Sequence, residues 1–489
     1  MPKLPEKIYS TEQVTEIERI AIQEYKIPGY ELMTRAAQAG FRNIRMNWRE
    51  IEAIAVFCGS GNNAGDGYVL ARIIMETGLS VVVYAVAPPA KLEGDALIAY
   101  EAYKDIGGKT KDYHPDDEYV ASIFVDALLG TGINREVTGR YADAIETINT
   151  ANQPVIALDI PSGINADTGV KMGSAVCANA TICFIGLKQG LFTADAAGYC
   201  GEIYFSSLVV PDQVYQQVPT EVELVQPPVF CKRERCAHKG KYGHVLIIGG
   251  DKGYSGATCL AAEAAARLGA GLVSIATRID HAGYMNLTLP EIMCHGVENQ
   301  QQLQPLLEKA SVIIIGPGLG QSKWAQELLQ AVTSTDKPLL IDADGLNLLA
   351  KNPQQNNNWV LTPHPGEAAR LLDCTTMDIH RDRFKAVLAI QKKYGGQCVL
   401  KGSGTLISDG KSIGISTTGN PGMASGGMGD VLTGVIASLI AQGMENNRAA
   451  STGVYIHGQA ADIAAKEYGE RGLLASDLTI YLRRLINSK

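Results

Sequence analysis

The stretch TGNPGMASGGMGDVLTGVIASLIAQG, residues 418–443, decides the reading of the C-terminal half. Its glycines run out at Asp430, and a largely apolar segment begins at Val431. That change of pattern predicts a loop feeding a helix that starts at Val431. Backbone N–H groups from Gly426 to Gly429 would then point at one oxyanion, backed by the helix dipole. A carboxylate in this place would repel a simply bound phosphate. It makes sense as a general base beside an anion hole, taking the proton of a nucleophilic hydroxyl. The alternative is an ordinary N-cap aspartate.

Upstream, the same half repeats one unit: a short β-branched run, a polar or glycine turn, then a helical stretch. The runs at residues 245–248, 272–276, 312–315, 339–341, 359–361 and 398–400 are expected to be strands. Distinctive turns follow them. KYGHVLIIGGDKGYSGA (residues 241–257) ends at Ala257, and GPGLG (316–320) ends at Gly320. DADGLNLL (342–349) sets two carboxylates around Ala343. LTPHPGEAARLL (361–372) holds His364 between two prolines, which stiffen the loop and suit a positioned ring, a structural histidine being the alternative. VLKGSGTLI (399–407) offers Lys401 and a Gly/Ser turn. The small residues 261–266 permit close helix packing.

The N-terminal half has the same pattern, with strand-like runs at residues 54–57, 81–86, 123–128, 155–158 and 180–185. The first leads into CGSGNNAGDG (58–67), read as an anion-binding loop ahead of a helix over residues 68–77. It lacks a P-loop lysine, which argues against a P-loop NTPase. VDALLGTGI (125–133) buries Asp126 in an apolar run, where a carboxylate needs a cation or several donors, backbone N–H groups being one source. ALDIPSGINADTG (157–169) ends a strand at Asp159, with Ser162 in the turn after it. Three polar loops at the carboxyl ends of parallel strands converge on one crevice. Asp126 and Asp159 sharing it would raise each other's pKa unless a cation sits near one.

Between the halves, residues 209–240 carry Pro211, Pro219, Pro227 and Pro228 and read as a linker. Continuous apolar strands alternating with helices imply parallel sheets covered on both faces. The expected fold is therefore α/β: two tandem three-layer domains, residues 1–215 and 222–489. With 46% hydrophobic and 19% charged residues the 489-residue chain has ample core and is not disordered. Its net charge of −8 argues against a broad nucleic-acid surface. No run is long and apolar enough for a membrane span, and the N-terminus has no signal core. The ten cysteines show no C-x-x-C pair or zinc spacing, so free thiols in the cytoplasm are expected.

Residues 8–212, through GSGNNAGDG, VDALLGTGI, DIPSG and GLKQGL, resemble the NAD(P)H-hydrate epimerase domain, a Rossmann-like fold. One departure is Ala64, where the family commonly carries Gly; its methyl would lie beside the phosphate loop. From about residue 225, GPGLG, DADGLN, LTPHPGE, LKGSGT and NPGMASGGMGD resemble the ribokinase-like NAD(P)H-hydrate dehydratase in its ADP-dependent form. The resemblance implies repair of hydrated NADH and NADPH: the R and S hydrates are interconverted, and the S form is dehydrated with ADP as co-substrate, giving AMP and phosphate. In the epimerase domain it implies substrate contacts at Asn62, Asn63, Ala64, Gly65 and Asp66. Further contacts follow at Gly130, Thr131, Gly132, Ile133, Asn134, Arg135 and Glu136, and at Tyr141. Asp159 is the acid/base candidate, and Lys188 a second charged group in the crevice. K+ would be held by Asn63, Asp126 and Ser162. In the dehydratase domain it implies hydrate contacts at Ala257, Gly320, His364 and Asp430, with Asp430 as catalytic base. ADP would meet Lys401, Gly402, Ser403, Gly404, Thr405 and Gly429, and Mg2+ would neutralise its phosphates. A homo-oligomer is expected. A small-molecule kinase that leaves phosphate on its product and a non-enzymatic binding module are the rival readings.

Overall fold

The structure, a computed structural model, describes residues 4–287 and 289–487 and divides into two compact units, Met1–Val222 and Glu223–Lys489. The first unit contains β1 (Lys7–Tyr9), β2 (Ala53–Cys58), β3 (Ser80–Ala85), β4 (Thr110–Asp112), β5 (Ile123–Ala127), β6 (Val155–Leu158), β7 (Ala180–Phe184), β8 (Leu187–Lys188) and β9 (Glu202–Ser206). Seven of these form one sheet in the order β4-β3-β2-β5-β6-β7-β9, with every neighbour parallel. β1 pairs in parallel with β8. Along β2, Ile54 and Val56 pack into one core with Leu70 and Ile74, while Ala55 and Phe57 pack into another with Phe124 and Ile148. Both faces are covered, which is why the strand reads as an unbroken apolar run. Each fully buried Ile or Phe contributes about 1.5–3 kcal/mol over an exposed one. The order reverses between β2 and β5, and loops at that switch point open a crevice.

The second unit follows the short β10 (Val222–Leu224) with β11 (His244–Ile248), β12 (Leu272–Thr277), β13 (Met293–Gly296), β14 (Val312–Ile315), β15 (Leu339–Ile341), β16 (Trp359–Leu361), β17 (Gln397–Leu400), β18 (Thr405–Ser408) and β19 (Ile413–Ser416). Their order is β13-β12-β11-β14-β15-β16-β17-β18-β19. The sheet is parallel as far as β17, but β18 and β19 are antiparallel, a hairpin that the expectation of purely parallel sheets did not include. The helix Met428–Ala441 packs against the helix Ser255–Arg267 so tightly that a Cβ on Gly434 would stand 2.1 Å from the Ala261 carbonyl. The small-residue run at 261–266 makes that approach.

Two helices begin earlier than the sequence indicates. One spans Asn62–Glu76, so the segment expected to be an anion-binding loop forms its first turns. The other spans Met428–Ala441, with Gly427 as its N-cap at φ +90°. Asp430 is therefore inside the first turn, and the N-cap alternative does not hold. The stretch read as a linker is also more ordered: the helix Asp212–Gln217 crosses residue 215, and Thr220 Oγ1 donates to the Ile8 carbonyl at 2.6 Å. No helix among the described residues is long and apolar enough to cross a membrane.

Candidate functional sites

The first unit holds a cavity of about 1040 Å3 at the carboxyl ends of β2, β5 and β6. Asn62, Asn63 and Asp66 line it from the helix Asn62–Glu76. Gly130, Thr131, Gly132, Ile133, Asn134, Arg135 and Glu136 form another wall, with Tyr141 nearby, and Asp159 and Lys188 complete it. Ala64 and Gly65 do not line the cavity. Ala64 is fully buried in the core, and a Cβ on Gly65 would meet Met33. The extra methyl of Ala64 therefore lies away from the crevice, contrary to the expectation for this position.

Asp159 ends β6 at φ +66°. Its Oδ1 accepts from the Phe184 amide at 3.0 Å and from Lys188 Nζ. Lys188 is 1% exposed; its ammonium also donates to the Phe184 carbonyl at 2.9 Å and reaches Cys183 Sγ at 3.5 Å. All three ammonium protons thus have acceptors. Among the described residues Oδ2 of Asp159 has no hydrogen-bond partner. Burial opposes the charge on Lys188, but Asp159 and Cys183 outweigh it and raise the lysine pKa. Asp66 is pushed well above the usual carboxylate range, first by burial and then by the charges of Asp159 and Glu18. Glu18 is raised by burial and by Asp159. It reaches the cavity from the helix Thr11–Gln23, which the capping box of Ser10 and Gln13 starts.

Asp126 and Ser162 sit behind this wall, both fully buried. Asp126 Oδ1 accepts from the Leu128 amide at 3.2 Å and lies 2.6 Å from Ser162 Oγ, while Oδ2 accepts from the Ser162 amide at 2.7 Å. Burial raises its pKa to about 6 despite these donors. The expected coupling of Asp126 to Asp159 is not what the structure contains: the carboxyls that feel Asp159 are Asp66 and Glu18. Asn63 Nδ2 donates to the Leu129 carbonyl at 3.0 Å, which leaves its buried Oδ1 without a partner. An orphaned amide oxygen is costly and fits a cation.

In the second unit the polar groups again lie at strand ends. Asp342 follows β15 and is 2% exposed. Its Oδ1 accepts from Lys401 Nζ at 2.8 Å and Thr362 Oγ1 at 2.8 Å, and its Oδ2 from Thr433 Oγ1 at 3.1 Å. Burial pushes Asp342 up, yet Lys401 and these hydrogen bonds outweigh it and hold the carboxyl below its usual range. Lys401 Nζ also lies 3.9 Å from Glu367. Burial raises Glu367 to about 7 and Asp430 to about 7, with Asp342 adding repulsion to both. The Lys401 side chain thus turns inward to the acids, away from the Gly402–Gly404 turn it heads. Thr405 Oγ1 closes that turn onto the Gly402 carbonyl at 2.9 Å.

His364 has a structural job of its own. It N-caps the helix Pro365–Leu372, accepting the Gly366 amide on Nδ1 at 3.0 Å, while Glu367 accepts the His364 amide at 2.8 Å. Half of its side chain is exposed. Gly320 donates to Asp344 Oδ2 at 2.9 Å. Ala257 stands one turn before Leu260, against which a Cβ on Gly427 would clash at 2.5 Å. Residues without a sequence assignment also matter. Asp342 carried the signal used for Asp126 and Asp159, a carboxylate ending an apolar strand. Arg383, 1% exposed, donates to the Leu400 carbonyl at 3.1 Å and the Lys401 carbonyl at 3.3 Å. His457 is buried with Nε2 unpartnered, its pKa lowered to about 4 by burial and then by Lys401.

These features define a tandem α/β enzyme for small-molecule chemistry: a cavity lined by acids and a lysine in one unit, a glycine-started helix carrying a half-buried carboxyl of raised pKa in the other. Residues 245–484 match the family model described as NAD(P)H-hydrate dehydratase, and residues 29–190 the one described as YjeF-related protein N-terminus. The chain is 48% identical over 485 residues to the bifunctional NAD(P)H-hydrate repair enzyme of Coxiella burnetii, covering 98% of this chain and 99% of that one. With the enzyme of the same description from Escherichia coli K12 it is 40% identical over 489 residues, covering 99% and 95%. Among solved structures, the ADP/ATP-dependent NAD(P)H-hydrate dehydratase from Bacillus subtilis, co-crystallised with ATP and Mg2+, aligns with TM-score 0.48 and 30% identity over 52% of this chain and 92% of that one. The chain belongs to the family of bifunctional NAD(P)H-hydrate repair enzymes, an isomerase and a lyase in one polypeptide.

Proposed function

We propose that the first unit interconverts the R and S hydrates of NADH and NADPH, and that the second dehydrates the S form with ADP, giving AMP and phosphate. The observation that carries the second half is Asp430: a half-buried carboxyl raised to about 7, in the first turn of a helix that starts on glycines. Hydroxide is a poor leaving group, water having a pKa of about 15.7. Phosphorylating the C6 hydroxyl makes the departure easy. A base and an anion hole are what that transfer needs, since positioning and charge stabilisation dominate it.

In the first unit the C6 hydroxyl sits beside the ring nitrogen. Its loss and return on the opposite face inverts C6, and both steps move a proton. Asp159 would move it: its Oδ1 is tied to Lys188 and Phe184, which supports a role for Oδ2 toward the substrate. Asn63, Asp126 and Ser162 would hold K+, the unpartnered Asn63 Oδ1 being the atom that fits it. A bound K+ would supply charge balance to buried Asp126. For Mg2+, no cluster of three or more His, Cys, Asp or Glu side chains that could hold a metal occurs among the described residues.

The test is a mixture of R and S hydrated NADPH incubated with ADP, following recovery of the reduced-ring absorbance and release of phosphate. Complete recovery with one AMP and one phosphate per NADPH is expected. A phosphorylated nicotinamide product would support a kinase instead. Recovery that stops at the S fraction would remove the epimerase half.

A further inference from the structure

We propose that Lys401 is a catalytic residue of the ADP-dependent step, its ammonium meeting the phosphoryl group in transit. This deepens the dehydratase reading above and rests on it. The alternative role, an affinity contact to the nucleotide, suits the backbone of the turn that Lys401 heads better than its side chain.

Three observations place the ammonium. It donates to Asp342 Oδ1 at 2.8 Å and makes no other hydrogen bond among the described residues, so two of its protons remain to be given. It lies 3.1 Å from where a Cβ on Gly429 would stand, hence against the first turn of the helix Met428–Ala441. Asp342, which holds it there, is itself fixed by Thr362 and by Thr433 from that same helix. The free N–H groups of the helix start and an ammonium with spare protons therefore share one small volume. Asp430 is the next residue after Gly429. An anion entering that volume meets two kinds of donor and a base together. A side chain at 429 would crowd the ammonium, since a Cβ there would stand 3.1 Å from Nζ.

The chemistry balances. Asp430 takes the proton of the C6 hydroxyl as that oxygen bonds to the β-phosphorus of ADP. The bond from this phosphorus to the bridging oxygen breaks, and AMP leaves with the electron pair. Charge spread over the three equatorial oxygens is met by Lys401 and the helix amides. The C6–O bond then breaks with its pair on phosphate, and the departing phosphate takes the C5 proton, which restores C5=C6.

The experiment is steady-state kinetics on the full chain with S-hydrate and ADP, with epimerisation by the same preparation as a folding control. Lys401→Met is expected to lower kcat on the order of 10^3-fold, with KM for ADP moving less than about fivefold, and Lys401→Arg to restore part of kcat. A kcat near the wild-type value with KM for ADP raised more than about tenfold would overturn the proposal. Should Lys401→Met not fold, Lys401→Gln decides: a fall in kcat of about 10^2-fold or more at little-changed KM for ADP supports the assignment, and an unchanged kcat refutes it. Wild-type protein that releases no AMP from ADP with S-hydrate would remove the dehydratase reading itself, and the proposal with it.

Discussion

Each unit sets a lysine against an aspartate, and the two pairs are buried from opposite ends: the lysine is the buried partner in the first unit and the aspartate in the second. In the first unit Lys188 is used up by Asp159, the Phe184 carbonyl and Cys183, while Asp159 keeps one oxygen free at the cavity. In the second, Asp342 is the buried partner, held by Lys401, Thr362 and Thr433, while Lys401 keeps two protons. A charge that is desolvated must be paired. Which partner still has capacity decides what the pair can do. A carboxylate oxygen can take a proton, and an ammonium can meet a phosphate. The same ion pair is thus set for isomerisation in one unit and for phosphoryl transfer in the other.

The largest effects should come from exchanging the base of each site for its amide. Asp159→Asn should lower epimerisation about 10^2–10^4-fold, the usual range for a lost general base, with removal of S-hydrate unchanged and R-hydrate accumulating. Asp430→Asn should do the reverse by a similar factor. Chromatographic separation of the hydrates checks both. Loss of both activities from either substitution would show that the units do not work separately.

A second break falls on the saturated lysine. Lys188→Met leaves the part-buried Asp159 carboxylate without its cation. Removing one partner of such a pair costs about 3–5 kcal/mol. Urea unfolding should show that loss in the first unit, together with loss of epimerisation. A variant as stable as the wild type would mean that the pair is not desolvated.

Legibility divides along the same line. The expected strands of both halves were readable because doubly covered parallel strands are unbroken apolar runs. The early starts of the helices Asn62–Glu76 and Met428–Ala441 were not, because Asn and Gly have low helix propensity and the close packing that pays for them is invisible locally. Asp126, Asp159 and Asp430 stood out as carboxylates in apolar or glycine settings. Glu18 did not, since a glutamate on an amphipathic helix reads as a solvated face. The role of Asp342 and the inward turn of Lys401 depend on partners 59 residues apart in sequence, a pairing no local pattern contains.

The acids beside Lys401 make the second site sensitive to pH. As the proposed base Asp430 has to be ionised, and burial raises its pKa to about 7. Dehydration should therefore fall about tenfold per unit below pH 7 and level off above it. Stability has the opposite sign. A carboxyl raised in the fold favours the protonated form, so the contributions of Asp430 and of Glu367, also about 7, are complete below about pH 4 and lost as pH rises through 7. A rate profile flat from pH 5 to 8 would remove Asp430 as the base.

The smallest expected effect concerns K+ and the first unit, and it uses the same linkage. Asp126 has a pKa of about 6, above the ordinary carboxylate value, because burial outweighs the donors from Leu128 and Ser162. Its protonated form is the one the fold favours. The stability this gives is complete below about pH 4 and is lost as pH rises through 6, where the buried charge appears. A cation at Asn63, Asp126 and Ser162 offsets that charge, so K+ should stabilise more at pH 8 than at pH 5. At a concentration ten times its dissociation constant the gain is about 1.4 kcal/mol, or about 3–5 °C in melting for a unit of this size. Asn63→Ala removes the unpartnered oxygen and should abolish the K+ shift while leaving Asp126 in place. Thermal melts in K+ and in a large organic cation at both pH values make the comparison. Equal shifts at pH 5 and 8, or a shift that survives Asn63→Ala, would leave Asp126 balanced by its hydrogen bonds alone.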